Sequence, residues 1–263
     1  MSLLRSRDNP RVRRWRALTH EARARRAERR ALIEGPHLLA AYLDTGARPQ
    51  VIVVSESGTA DTEVSALARR CGCEPVRLTD ALFRWIVDVA SPVGVAAEIA
   101  LPETEESVGT ARHAVFLDAI QDSGNVGAIL RSAAAFGVDT AVLGPGCADP
   151  WSPKVLRAGM GGHFGLRVAE TEDLASALAE FNGPVVCTVP KGGNAPSAID
   201  LTGRLGWILG AEGRGVGASL AALALHRVSI PMTPGIESLN VAAAAAILLY
   251  ERARQLSKRG ARS

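Results

Sequence analysis

"AVFLDAIQDSGNVGAILRSAAAFGVDTAVL" occupies residues 114–143. Its ends, "AVFLD" and "TAVL", are short apolar runs that read as buried strands. Between them "GAILRSAAAFG" has helical spacing and stops at Gly137, a residue that commonly ends helices. The pattern continues to the C-terminus. "SPKVLRAGMGG", "EDLASALAEF" and "GASLAALAL" read as helices; "FGLRVA", "PVVCTV", "LGWILG" and "RVSIP" read as strands. A long alanine-rich helix, "VAAAAAILLYERAR", follows. Strands alternating with helices predict a mostly parallel sheet with helices on both faces.

On the N-terminal side, "PETEESVGTARH" (residues 102–113) is polar and acidic, without apolar periodicity. It reads as a linker and places a boundary between residues 104 and 105. Before it, "VIVVSES", "PVRLT" and "VGVAAEIA" read as strands, and "TEVSALARRCG" and "ALFRWIVDVA" as helices. Residues 18–43 read as helical, divided at Gly35-Pro36. The expected layout is a small α/β domain over 1–104 and a larger α/β domain over 105–263.

The chain has 263 residues, 47% hydrophobic and 22% charged, so it can bury a real core. No run of about 18 apolar residues occurs, which excludes a helical membrane span. The arginine-rich N-terminus lacks an apolar signal core, so secretion is not expected. Cys71 and Cys73 form a C-x-C that matches no common zinc spacing. With Cys147 and Cys187 they read as free thiols, in a reducing cytoplasm and without a metal. The net charge of +3 is uneven. Residues 1–30 hold 11 arginines and three acids, a balance of +8, which leaves −5 for the remainder. A basic arm on a mildly acidic body points to a polyanion such as RNA.

Ligands of open parallel sheets bind beyond the carboxyl ends of the strands, and three strand ends here carry unusual residues. After Asp118 comes "DSGNVGAILR". Gly127, Arg131 and Ala135 share one helical face there, where a lone arginine needs an anion or a cleft. After "WILG", Glu212 sits in a loop with several glycines. After "RVSIP", Ser238 reads as the N-cap of the last helix, and Asn240 lies in its first turn. No G-x-G-x-x-G fingerprint appears in useful context, which sets aside a nucleotide-dependent oxidoreductase.

"DSGNVGAILRSAAAFGV", "ILGAEGRGVG" and "IPMTPGIESLNVAAAAAILLYE" resemble the three motifs of SpoU-type (TrmH-like) RNA ribose methyltransferases of the SPOUT superfamily. The resemblance covers residues 112–256. "IEGPHLL" and "SPVGVAAEI" resemble the L30e-like substrate-binding domain that many members carry. The resemblance implies a deep trefoil knot, a homodimer, S-adenosylmethionine as methyl donor and a 2′-O-methylated ribose as product. By the family pattern, Thr188, Gly210, Ile230 and Leu239 match cofactor-contacting positions. Asn125, Arg131, Glu212, Ser238 and Asn240 match the catalytic centre. Arg131 matches the position that activates the ribose hydroxyl, with Asn125 positioning it. Ala211 stands where the family often has Asn, and Gly159 where serine is frequent. Ribosomal RNA is favoured by the two-domain layout. The alternatives are tRNA, or a non-catalytic RNA-binding protein.

Overall fold

The computed structural model describes residues 3–102 and 107–260. The boundary expected between 104 and 105 lies outside the described residues. The N-terminal elements are α1 (Pro10–His20), α2 (Ala22–Glu28), β1 (Arg30–Glu34), α3 (Pro36–Asp44), β2 (Val51–Ser55), α4 (Thr62–Cys71), β3 (Val76–Leu78), α5 (Asp80–Ile86) and β4 (Val95–Ala100). They form a four-stranded mixed sheet in the order β1-β4-β2-β3. β1 corrects the expectation of helix from residue 18 up to the division at Gly35-Pro36. "RALIE" is rich in helix-favouring residues, but it pairs antiparallel with β4, from Arg30↔Ala100 to Glu34↔Ala96. Burial of Ala31, Leu32 and Ile33 against the sheet outweighs local propensity.

Residues 3–30 do not form a free arm. Val12, Trp15 and Leu18 of α1 are fully buried in the core of this unit. Trp15 Nε1 donates to Glu98 Oε2 at 2.9 Å, and Glu98 itself has no solvent exposure. Arg14 pairs with the same carboxylate, and Arg30 reaches its other oxygen at 2.5 Å. A buried carboxylate is tolerable only when paired and hydrogen-bonded in this way. The arginine run is therefore partly spent inside the fold.

The second half contains β5 (His113–Asp118), α6 (Ser123–Ala135), β6 (Thr140–Leu143), α7 (Pro153–Gly159), β7 (Arg167–Glu170), α8 (Leu174–Glu180), β8 (Val185–Thr188), β9 (Leu205–Gly210), α9 (Ala218–Ala221), β10 (His226–Val228) and α10 (Val241–Gly260). Its six strands run parallel in the order β10-β8-β9-β5-β6-β7. The chain divides into two compact units, and Asp149–Phe164, including α7, groups with the residues up to Pro102. There Arg25, 5% exposed, donates to Asp149 Oδ2 and to the carbonyls of Leu18 and Thr19.

In the six-stranded sheet, Ala114 and Phe116 pack with Ile208 against Leu174, Leu178 and Phe181 around α8. His113 and Trp207 are out of phase with them by one residue and so point to the opposite face. Trp207 Nε1 donates to His113 Nε2 at 3.0 Å, so the imidazole there is neutral. Burial, aided by the charge of Arg252, pushes His113 down to about 4. Burial also pushes His163 down to about 4.

Trp15→Ala removes a fully buried indole, and large-to-small changes of that kind cost about 3–5 kcal/mol. The urea midpoint should fall accordingly, and a chain truncated to begin after residue 30 should fail to fold its first unit. An unchanged midpoint would show that α1 contributes no core. Both buried histidines bind protons more readily when unfolded, so stability should be full above about pH 6.5 and decline towards pH 4. Each histidine accounts for up to roughly 3 kcal/mol. A flat urea midpoint from about pH 6.5 down to about pH 5, above the ordinary carboxylate range, would contradict the burial argument.

Candidate active site

β10, β8 and β9 are adjacent and parallel, so their carboxyl ends share one edge of the sheet. The turns after them and the start of α10 line a cavity of about 400 Å³. That volume suits a small-molecule ligand. Thr188 comes from the end of β8, Gly210 from the end of β9, and Ile230 follows β10. Ser238, Leu239 and Asn240 enter from the approach to α10. The four residues expected to touch a cofactor thus line one cavity, and Thr188 is fixed by donating to the Ile208 carbonyl at 3.1 Å.

Three loops are joined at the mouth by side-chain amides. Asn125 Nδ2 donates to Glu212 Oε1. Asn240 Nδ2 donates to Asn125 Oδ1 at 2.9 Å. Asn240 Oδ1 in turn accepts from the backbone N–H groups of Ala242 and Ala243. Asn240, rather than the expected Ser238, is therefore the N-cap of α10. The first loop is held by a cap of its own, Asp122 Oδ1 accepting from Asn125 N at 2.8 Å.

The loop carrying Glu212 has a second anchor, which sequence reading missed. Asp118 Oδ2 accepts from Gly217 N at 2.8 Å. The next residue, Ala119, has a φ of 54°, a left-handed conformation that costs a non-glycine residue roughly 1–2 kcal/mol. The available signal was a carboxylate ending a central parallel strand beside a glycine-rich loop. Arg214 and Met232, also unforeseen, line the cavity.

Gly210 is required by the turn of its own loop. A Cβ there would collide with the backbone of Gly215 and Val216, before any ligand is considered. The loop turns straight back onto its strand, and Gly215 N donates to Ala211 O at 2.8 Å. A similar close crossing occurs where a Cβ on Gly193 would meet Val228 C at 2.6 Å and Ser229 N at 2.7 Å.

Arg131 behaves differently from the other four polar residues. It is exposed on α6, does not line the cavity, and its side chain has no hydrogen bond or ion pair among the described residues. Asn125 does not position it, because the Asn125 amide is engaged by Glu212 and Asn240. Cys187, just before Thr188, offers no nucleophile at neutral pH, since burial pushes its thiol up.

Residues 112–250 match the SpoU rRNA Methylase family, and residues 9–97 match the MRM3-like substrate binding domain. The chain is 34% identical over 257 residues to an uncharacterized tRNA/rRNA methyltransferase of Synechocystis, covering 95% of this chain and 93% of that one. It is 32% identical over 253 residues to the 23S rRNA (guanosine(2553)-2′-O)-methyltransferase RlmP of Bacillus subtilis, covering 95% and 98%. The fold superposes on the AdoMet-bound rRNA methyltransferase of Sinorhizobium meliloti with a TM-score of 0.81, at 27% identity over 97% of this chain and 98% of that one. More than half of the chain lies within one family match, supported by full-length relatives: it belongs to the SpoU rRNA methylase family.

Proposed function

We propose that the protein transfers a methyl group from S-adenosylmethionine to a ribose 2′-hydroxyl of RNA, with ribosomal RNA as the substrate. The observation that carries this is the amide-linked cluster Asn125–Glu212–Asn240 at the mouth of a cavity at the carboxyl ends of three parallel strands. The cavity suits an adenosyl group. Val228, Ile230, Met232 and Leu248 give it apolar walls, while Glu212, Ser238 and Asn240 give it a polar mouth. When bound, S-adenosylmethionine supplies a methyl carbon activated by a sulfonium.

The remaining chemistry falls to the chain. A ribose hydroxyl is a poor nucleophile far below its pKa, so it needs a base or a positive charge as its O–H weakens. Glu212 is tied to Asn125 and serves as an anchor that holds its loop against the cavity. Arg131 keeps its proton at any working pH, so its role is to stabilise the developing alkoxide or hold the adjacent phosphate while the proton leaves to water. Ser238 and Asn240 orient the ribose.

Arg131 must then reach a cavity that its own chain does not bring it to. We assign that to a homodimer. α6 packs beside α10, and α10 exposes Ile247 (42%) and Tyr250 (57%), with Phe136 stacked edge-on against Tyr250. A second copy seated on this apolar face would bring the two Arg131 side chains towards the opposite cavities. The trefoil knot belongs to the same reading and is supported by the tight crossing of Gly193 over the end of β10. The mixed four-stranded sheet supports an L30e-like substrate-binding role for the first unit. Four unpaired cysteines are in keeping with a reducing cytoplasm.

Arg131→Ala should lower turnover on unmodified ribosomal RNA by about 100-fold or more while cofactor affinity persists, and Arg131→Lys should fail comparably for want of the planar fork. Near-normal turnover in Arg131→Ala would move the role to Glu212 or to the RNA. Light scattering should return twice the 27.6 kDa chain mass at micromolar concentration. A fully active monomer would overturn the shared-site arrangement.

A further inference from the structure

The eleven arginines of residues 1–30 are not equivalent. Arg14, Arg25 and Arg30 are consumed by carboxylates inside the first unit. On the solvent side of α1 the situation is reversed. Arg13, Arg16 and His20 follow one another at i, i+3 and i+7, along a ridge opposite Val12, Trp15 and Leu18. Arg16 lies 4.4 Å from the centre of the Trp85 ring, and Arg7 lies 5.3 Å from it. Trp85 is on α5, and its neighbour Arg84 is exposed. Arg7, Arg13 and Arg84 form no ion pair or side-chain hydrogen bond among the described residues. The acids closest to the ridge in sequence are Asp8, Glu21, Asp80 and Asp88; Asp80 is engaged by the Ser57 N–H and hydroxyl, and Asp88 pairs with Arg157.

Arg16 is half-buried, lies over the indole and also donates through Nη1 to the Trp85 carbonyl, while Arg7 lies exposed over the same ring. Arg7 and Arg16 are therefore pre-ordered, and a ligand has less side-chain freedom to remove on binding. A ridge of four exposed cationic side chains (Arg7, Arg13, His20 and Arg84) around a half-buried, ordered Arg16 matches a run of phosphates, whose contacts fix a strand in place without reading its sequence.

We propose that the ridge formed by Arg7, Arg13, Arg16, His20 and Arg84 around Trp85 is the phosphate-contacting face through which the first unit holds substrate RNA. The arginines behind it, Arg14, Arg25 and Arg30, take no part. This rests on the RNA-methylating function proposed above and assigns its substrate contact to particular residues.

The test uses the full-length protein and a 30-nucleotide polyuridylate, with affinity measured across a series of KCl concentrations. One variant carries Arg7→Gln, Arg13→Gln and Arg84→Gln. A control carries Arg23→Gln, Arg69→Gln and Lys258→Gln, three exposed cations outside the ridge. Each lost phosphate contact lowers the salt slope by about 0.7 for a single strand, so the ridge variant should lose roughly 2 units of slope. Its RNA affinity should fall tenfold or more at moderate salt, with S-adenosylmethionine affinity unchanged. The control should keep the wild-type slope. A ridge variant that keeps the wild-type slope, or a control that loses as much, overturns the assignment and leaves only a solvated basic surface. A wild-type protein with no salt-dependent RNA affinity overturns the proposed function along with it. Wild-type binding that survives in the ridge variant overturns the face alone.

Discussion

The carboxamide of Asn125 is the constraint on which the site depends. Its nitrogen donates to Glu212 and its oxygen accepts from Asn240. Those three residues are far apart in sequence: Asn125 lies in the first turn of α6 after β5, Glu212 follows β9, and Asn240 caps α10 after β10. Only a parallel sheet brings the ends of those strands to one edge. An amide is suited to the junction because it both donates and accepts. A carboxylate there would face Glu212 as a like charge. Partly satisfied polar clusters are unstable arrangements, and Asn240 completes this one by also capping α10. One hydrogen-bonded chain thus runs from a loop anchor to a helix start.

The glycines of the second loop act through the same geometry. Gly210 ends its strand where Gly215 and Val216 pass over it, and the return is secured by Asp118 and by Asn125. One wall of the cavity is consequently set by a main-chain return. A pocket of this kind is set by where the loops are fastened.

The alternating sheet was legible in the sequence because β5, β6, β8 and β9 are short apolar runs separated by helical spacing. β1 was not, because Arg30–Glu34 has the composition of a helix and becomes a strand only by pairing with β4. Four of the five polar site residues converge as their motifs implied, and the cofactor-position residues share one cavity. Ser238 was read as the cap in place of Asn240, since both residue types cap well and spacing does not choose between them. Charge counting overestimated the basic arm. A run of arginines looks the same in sequence whether it faces a buried Glu98 or water. Arg131 could not be placed from the sequence, because its position beside α10 is a matter of packing between helices.

The excursion of Asp149–Phe164 into the first unit has a bearing on how the chain is made. The first unit is not continuous: Arg25, nearly buried, takes its carboxylate from Asp149. During synthesis the first 102 residues emerge well before that acid does, with β5, α6 and β6 in between. Until then Arg25 has only the carbonyls of Leu18 and Thr19 as partners. The N-terminal unit therefore cannot finish folding as an isolated nascent domain. The counter-charge of Arg25 arrives only after three elements of the second unit have been translated, which couples the maturation of the two halves in time.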